Sequence, residues 1–255
     1  MISLPLIRYV LLSAFRDRLL LAFLLLGLVG VSLSVFLGSA AVTEQGLFVL
    51  VFAAAGLRLC GFAGIVLFTV FHMRRAFDSR DVEYLLSRPL TRVSFLLSHA
   101  VSFSFLALLI AAFVSLAVLI LTPERGTPGF LLWSASLSVE YLIMANVSLF
   151  FALVMKSPVT GALSVFGLYV LARMIGQIFG IIAAGVTIPG GAALSGMMVV
   201  IGLIVPRLDL MAQSSWLVYG PGDDAIGYGF LLLQGGGYLF LVTMASLFDL
   251  VRKQF

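Results

Sequence analysis

Leu47 to Phe71 reads LFVLVFAAAGLRLCGFAGIVLFTVF, an apolar run broken by one charge, Arg58. A helix rises ~1.5 Å per residue, so about 20 residues cross the ~30 Å hydrocarbon layer of a bilayer. The run is therefore long enough to span. In lipid it must be helical, because a helix satisfies its own backbone hydrogen bonds. Working outward, five more stretches pass the same length test: Leu19–Ala40, Ser94–Leu121, Phe130–Met155, Val159–Val186 and Ile226–Phe248. The expected fold is all-α: a polytopic membrane protein with six transmembrane helices, forming one domain over residues 1–255.

Composition agrees. Hydrophobic residues make up 62% of the chain and charged residues 10%, against roughly 25% charged in soluble domains. The run Leu19–Ala40 exceeds the ~7–15 apolar residues of a signal peptide, so a retained first helix is expected. Ahead of it, Leu4–Arg18 is modestly amphipathic, with Leu4, Ile7, Leu11, Ala14 and Phe15 on one face. That segment either lies along the inner surface or simply begins the first span. Near the other end, Gly191–Val205 is short, glycine-rich at its start and stopped by Pro206. It reads as a re-entrant or interfacial helix on the outer side, not a seventh span.

Charge placement orients the chain. With the N-terminus in the cytoplasm and six spans, only Arg125 and Arg207 of the 15 basic residues fall outside. Arg58 and Arg173 lie at membrane depth, and all others face inward, as the positive-inside rule expects. Both termini are then cytoplasmic. Trp133 and Trp216 fall near the outer interface, where indole rings settle.

The residues needed for catalysis are missing. Cys60 is the single cysteine, so no disulfide framework forms and a thiolate metal site is excluded in practice. No Gly-x-x-x-x-Gly-Lys-Ser/Thr loop occurs, and the two lysines, Lys156 and Lys253, follow no glycine-rich turn. The chain does not bind ATP by that means. His72 and His99 lie far from Ser195, no pair of aspartates sits in the spans, and metal ligands do not cluster. The expectation is a non-enzyme with no cofactor of its own. His72 and His99 read as interfacial or packing residues.

Three ionisable residues sit near span centres: Arg58, Glu140 and Arg173. Each costs roughly 2.5–3.5 kcal/mol on insertion scales. An ion pair of Glu140 with Arg58 or Arg173 is expected, with Gln177 one turn beyond Arg173 on its face. Such a group either fixes helix register or lines a polar path or dimer contact. Gly176-Gln177-Ile178-Phe179-Gly180 adds a small-xxx-small spacing, and Gly235-Gly236-Gly237 lies early in the last span.

The largest inner loop, His72 to Val93, reads HMRRAFDSRDVEYLLSRPLTRV. Asp78 and Asp81 form a capping-box-like helix start. Val82, Leu85 and Leu86 follow as an apolar stripe, with Arg80, Glu83 and Arg88 on the flanks. Pro89 ends the helix. This short amphipathic helix either rests on anionic lipid or docks into a groove on a soluble partner. Its acidic residues favour docking.

The run Glu83-Tyr84-Leu85-Leu86-Ser87-Arg88-Pro89-Leu90-Thr91-Arg92 resembles the cytoplasmic loop of ABC-2-type transporter permeases. Ile204–Leu210 and Trp216–Gly220 resemble the outer segment before the last span in permeases of nitrous-oxide-reductase maturation and gliding motility. The resemblance implies a permease, an exporter in a bacterial inner membrane, that works as a pair. A separate cytosolic subunit would bind and hydrolyse ATP, and the 78–92 helix would be its coupling element. It also implies that Thr187–Trp216 roofs the pathway. The competing reading is a membrane scaffold that docks a cytosolic protein and moves nothing.

Overall fold

The computed structural model describes residues 3–39, 44–78, 91–122, 127–183, 205–222 and 225–252. Among them there are helices and connections, and no strand. In chain order the α-helices are α1 (Leu4–Arg16), α2 (Leu19–Ser39), α3 (Gln45–Asp78), α4 (Arg92–Leu121), α5 (Pro128–Val154), α6 (Pro158–Ala183), α7 (Ser215–Tyr219) and α8 (Tyr228–Arg252). One 3-10 turn, Leu208–Leu210, precedes α7. Five of these, α3, α4, α5, α6 and α8, are long and apolar enough to cross a bilayer. Their length and composition mark a membrane-embedded protein. α2 is a continuous helix of 21 residues packed along α3.

Local chemistry sets the helix starts. Thr91 accepts a hydrogen bond from the Ser94 amide at 3.2 Å and caps α4. Thr127 does the same for Phe130 at 3.2 Å, with Pro128 in the first helical turn of α5. Such caps satisfy amides that have no partner inside the helix, and proline fits there because it lacks the amide.

α5 is the hub, packed against α3, α4, α6 and α8. Its most apolar stretch is 67% buried, against 17% for α8 at the periphery. Close backbone approach explains part of that contact. A Cβ on Gly235 of α8 would lie 2.6 Å from Cγ1 of Val139 on α5, whereas Gly236 and Gly237 face open space. Only the first glycine of the triplet serves helix packing.

Four expectations change. The long helix α3 does not stop at Phe71: His72–Asp78 is helical, and Asp78 ends α3 with its carboxylate 2.9 Å from Arg74, one turn back. The N-terminal segment is a helix of its own, separated from α2 at Asp17–Arg18, where Arg18 adopts the left-handed conformation (φ 56°). Its buried side is Leu6, Val10 and Ala14, one residue per turn, while Leu4 and Phe15 are exposed. The limits of that face were not legible in the sequence because the apolar side of the helix is wide, running on from Leu6, Val10 and Ala14 through Ile7, Leu11, Leu4 and Phe15. Finally, Trp133 (0% exposed) and Trp216 (5%) are buried in protein, so neither presents its indole to an interface. The expected coupling-helix residues Arg80, Asp81, Val82, Glu83, Leu85, Leu86, Arg88 and Pro89 lie outside the described residues. So does the expected re-entrant helix, apart from Val205.

Candidate polar site inside the bundle

Three helices bring the mid-span charges to one place. Glu140 on α5 is fully buried. Arg173 on α6 donates from Nη2 to Glu140 Oε2 at 2.8 Å, and Tyr169, one turn earlier on α6, donates its hydroxyl to Oε1 at 2.8 Å. Of the two arginines open to Glu140 in the sequence, Arg173 takes it. The flat Tyr169 ring is itself stacked on Phe62 of α3, 3.8 Å between centroids and 15° between planes. This packing holds the phenol hydroxyl toward the carboxylate.

The arginines do more than balance charge. Arg173 Nη1 donates to the carbonyls of Leu208 (2.7 Å) and Met211 (2.8 Å). Arg58 Nη1 on α3 donates to the carbonyl of Ala212 at 2.6 Å. Ser136, one turn before Glu140, accepts the Ala212 amide at 2.9 Å. Ala212 has φ 46°, a left-handed conformation unusual for alanine. Residues 208–212, a single 3-10 turn and the bend after it, are thus backbone outside any α-helix held inside a helical bundle. Arg58 lies thirteen residues into α3 and Ser136 eight into α5, so the contacts reach ~12–20 Å along the helices from their starts. Backbone outside a helix is tolerated at such depth only where protein supplies the hydrogen bonds. The two guanidinium groups and one serine supply them here.

Beyond Ala212 the segment returns to the bundle end as α7. It crosses the first turn of α5 at Gly129, where any Cβ would collide with the Trp216 carbonyl. Arg207 and Asp209 form a forked pair, with Nη2 to Oδ2 at 2.9 Å, and the Asp209 carboxylate holds the Arg207 guanidinium above its ordinary pKa. Asp209 rests on Gly176. The small-xxx-small spacing therefore serves the segment at Gly176, not a neighbouring helix, and Gly180 faces open space. Gln177 is exposed on α6 and takes no part in the cluster.

Tyr169, Ser136 and Ala212 escaped sequence reasoning. A signal existed: Ser136 and Glu140 are four apart, as are Tyr169 and Arg173, and four-residue spacing stacks side chains on one helix face. The helical Cα–Cβ bond tilts toward the N-terminus, so Arg173 meets its neighbour at position −4, Tyr169, in preference to Gln177 at +4. His72 and His99 are 6% and 2% exposed and pack among Phe68, Phe95 and Phe103. Among the described residues no group of His, Cys, Asp or Glu could hold a metal ion. Cys60 is a free, half-buried thiol on α3. No known family model and no characterised protein matches the chain.

Proposed function

We propose that the chain is the membrane-spanning permease subunit of an ABC-2-type transporter, an exporter driven by a separate cytosolic ATPase. The observation that carries this reading is the use of the two ends of α3. Its C-terminal end, extended to Asp78, leads into the Leu85-Leu86-Ser87-Arg88-Pro89 stretch. The opposite half of α3 receives the folded-in segment 207–219, which lies next to the Leu47 turn and Arg58. A loop for a partner at one end and a plug of irregular backbone at the other suit a gated pathway better than a passive scaffold.

The same arrangement supports a reading of six spans. The Ser3 amide meets Ser98 near the start of α4 at 2.8 Å, and Arg92 donates to the carbonyls of Leu250 and Val251 at 3.1 Å. Ser3 and the last turn of α8 therefore lie near Arg92 at the start of α4, which supports an even number of crossings. Taking α2 with the five longer helices makes six. Arg8, Arg16, Arg74, Arg75 and Arg92 gather at this end, which supports its cytoplasmic placement under the positive-inside rule. The membrane would be a bacterial inner membrane, the permease would act as a pair, and the helix expected within 78–92 would be the coupling element. ATP would bind only to the partner.

Affinity purification of the tagged chain from its own membranes tests the reading. The expected result is a co-purified subunit with a phosphate-binding loop, whose ATPase activity in the complex falls about tenfold or more with Leu85→Arg. A co-purified partner without such a loop, or ATPase activity indifferent to Leu85→Arg, overturns it.

A further inference from the structure

The charges inside the bundle do not sum to zero. Arg58, Arg173 and Glu140 carry two positive charges and one negative. Of the 11 acidic residues in the chain, Glu140 alone lies near the centre of a span. Both of its oxygens are engaged, one by Arg173 and one by Tyr169. Asp209, on the same segment as Ala212, is forked by Arg207. Glu44 precedes α3, fourteen residues and ~21 Å along the helix from Arg58. Residues 184–204, the longest stretch outside the described residues, contain no charged residue at all. A second copy of the chain would bring the same surplus of one positive charge.

Arg58 is where the surplus sits. Its guanidinium carries five donors and among the described residues makes one hydrogen bond, from Nη1 to Ala212. Nε is buried without a partner, and Nη2 makes no hydrogen bond among the described residues. Nε and Nη2 form the edge with which arginine grips a carboxylate or phosphate through two parallel bonds. That edge is the unused one. An uncompensated cation at membrane depth is costly, and an oxyanion laid against this edge would remove the cost. A cleft of about 450 Å³ lies two turns away on the same side of α3, walled by Glu44, Leu47, Phe48 and Val51 and by Ser214, Ser215, Val218 and Tyr219, with Arg58 beyond its lining. Val51 and Arg58 are seven residues apart on one face of α3, ~10 Å along the helix. Ser214 is two residues from Ala212.

We infer that Arg58 is the binding point for an anionic group, a phosphate or carboxylate, that enters the bundle along the α3–α7 cleft. Apart from Glu44, Ser214 and Ser215 the cleft walls are apolar or aromatic, so they accommodate the hydrocarbon part of an anionic amphiphile as well as a free anion. As a statement about cargo class this rests on the permease reading. The binding itself needs no ATPase, so the two can fail separately.

The test uses the purified full chain in phosphatidylcholine nanodiscs. One arm adds phosphatidylglycerol to the nanodisc, and the other adds inorganic phosphate to the buffer. Thermal unfolding and Trp216 fluorescence report binding. Arg58→Gln keeps a donor for Ala212 and removes the charge, while Arg16→Gln removes a charge from the exposed face of α1. The expected result is a rise in unfolding temperature in at least one arm, with apparent affinity about tenfold weaker in Arg58→Gln and unchanged in Arg16→Gln. A response to phosphatidylglycerol alone identifies a lipid headgroup, and a response to phosphate a free anion. If Arg58→Gln does not fold, Arg58→Lys, which keeps the charge and loses the fork, should bind severalfold more weakly. No response in either arm overturns the inference, as does equal binding by wild type and the Arg58 variants.

Discussion

Two polar clusters lie at different levels of α3 and solve the same problem in different ways. Around His72, where helices are continuous, the buried groups are serines and histidines that bond chiefly within their own helices, with Ser13–His72, Ser3–Ser98 and the Arg75–Asp17 pair linking the layer to the N-terminal segment. Ser98 and Ser102 donate to carbonyls one turn back on their own helix at 2.7 and 2.6 Å, His99 Nδ1 donates to Phe95 at 3.0 Å, and aromatic rings fill the space. Around Arg58, where residues 208–212 run as irregular backbone, the groups are ionic and long-range. Arg58, Glu140 and Arg173 join three helices to a segment far away in sequence. Charge in this bundle follows broken backbone. A serine can satisfy itself on its own helix, but carbonyls released from helical pairing need donors from elsewhere, and arginine reaches furthest with the most donors.

The comparison breaks most readily at Glu140. Glu140→Ala leaves two guanidinium groups buried without a carboxylate, and removing one partner of such a pair costs about 3–5 kcal/mol. Glu140→Gln, which still accepts from Tyr169 and Arg173, should lose clearly less. Equilibrium unfolding of the purified variants in detergent checks both, and similar stability of the Ala variant and wild type would mean that the segment is not held by charge. Next comes Gly129→Val, which pushes on the Trp216 carbonyl. About 1–3 kcal/mol of strain is expected, and a cysteine placed at Tyr219 should label faster while labelling near α1 stays unchanged. Equal labelling at both ends would show that the segment is not an independent element.

Smaller effects sharpen the neutral end. Arg92→Gln weakens the capping of the last carbonyls of α8, worth roughly 0.3–1 kcal/mol, and amide exchange should speed up only in the final turn of α8. His72→Phe should change stability by less than about 1 kcal/mol. It gives up a long contact to Ser13 at 3.4 Å, but it also removes Nε2, which is buried without a partner. A large loss would mean that the His72 layer holds a charge or a ligand after all.

Much of the fold was legible in the chain because long apolar runs have one stable form in lipid. The helices that pass the length test match the expected spans to within a few residues at most boundaries. α3 is the exception. His72–Asp78 carries Arg74, Arg75 and Asp78, which read as loop, yet Arg74 and Asp78 pair one turn apart and Arg75 meets Asp17 at 3.0 Å. The face of α1 was illegible for a different reason. Leu4, Leu6, Val10, Leu12 and Phe15 are all apolar, and only the positions of α4 and α2 select Leu6, Val10 and Ala14 for burial.

The sequence by itself determined the membrane solvent, the helices and the existence of a charged cluster. Those follow from transfer energetics that act on each residue whatever its neighbours. It also determined the surplus of one positive charge at depth, which is a count. The tertiary structure alone decided that Glu140 belongs to Arg173, that Tyr169 and Ser136 complete the cluster, and that both tryptophans are buried. It alone decided that the arginines hold backbone carbonyls. Those depend on which helix faces meet and where residues 208–212 enter the bundle, and side-chain spacing along one helix carries no information about either.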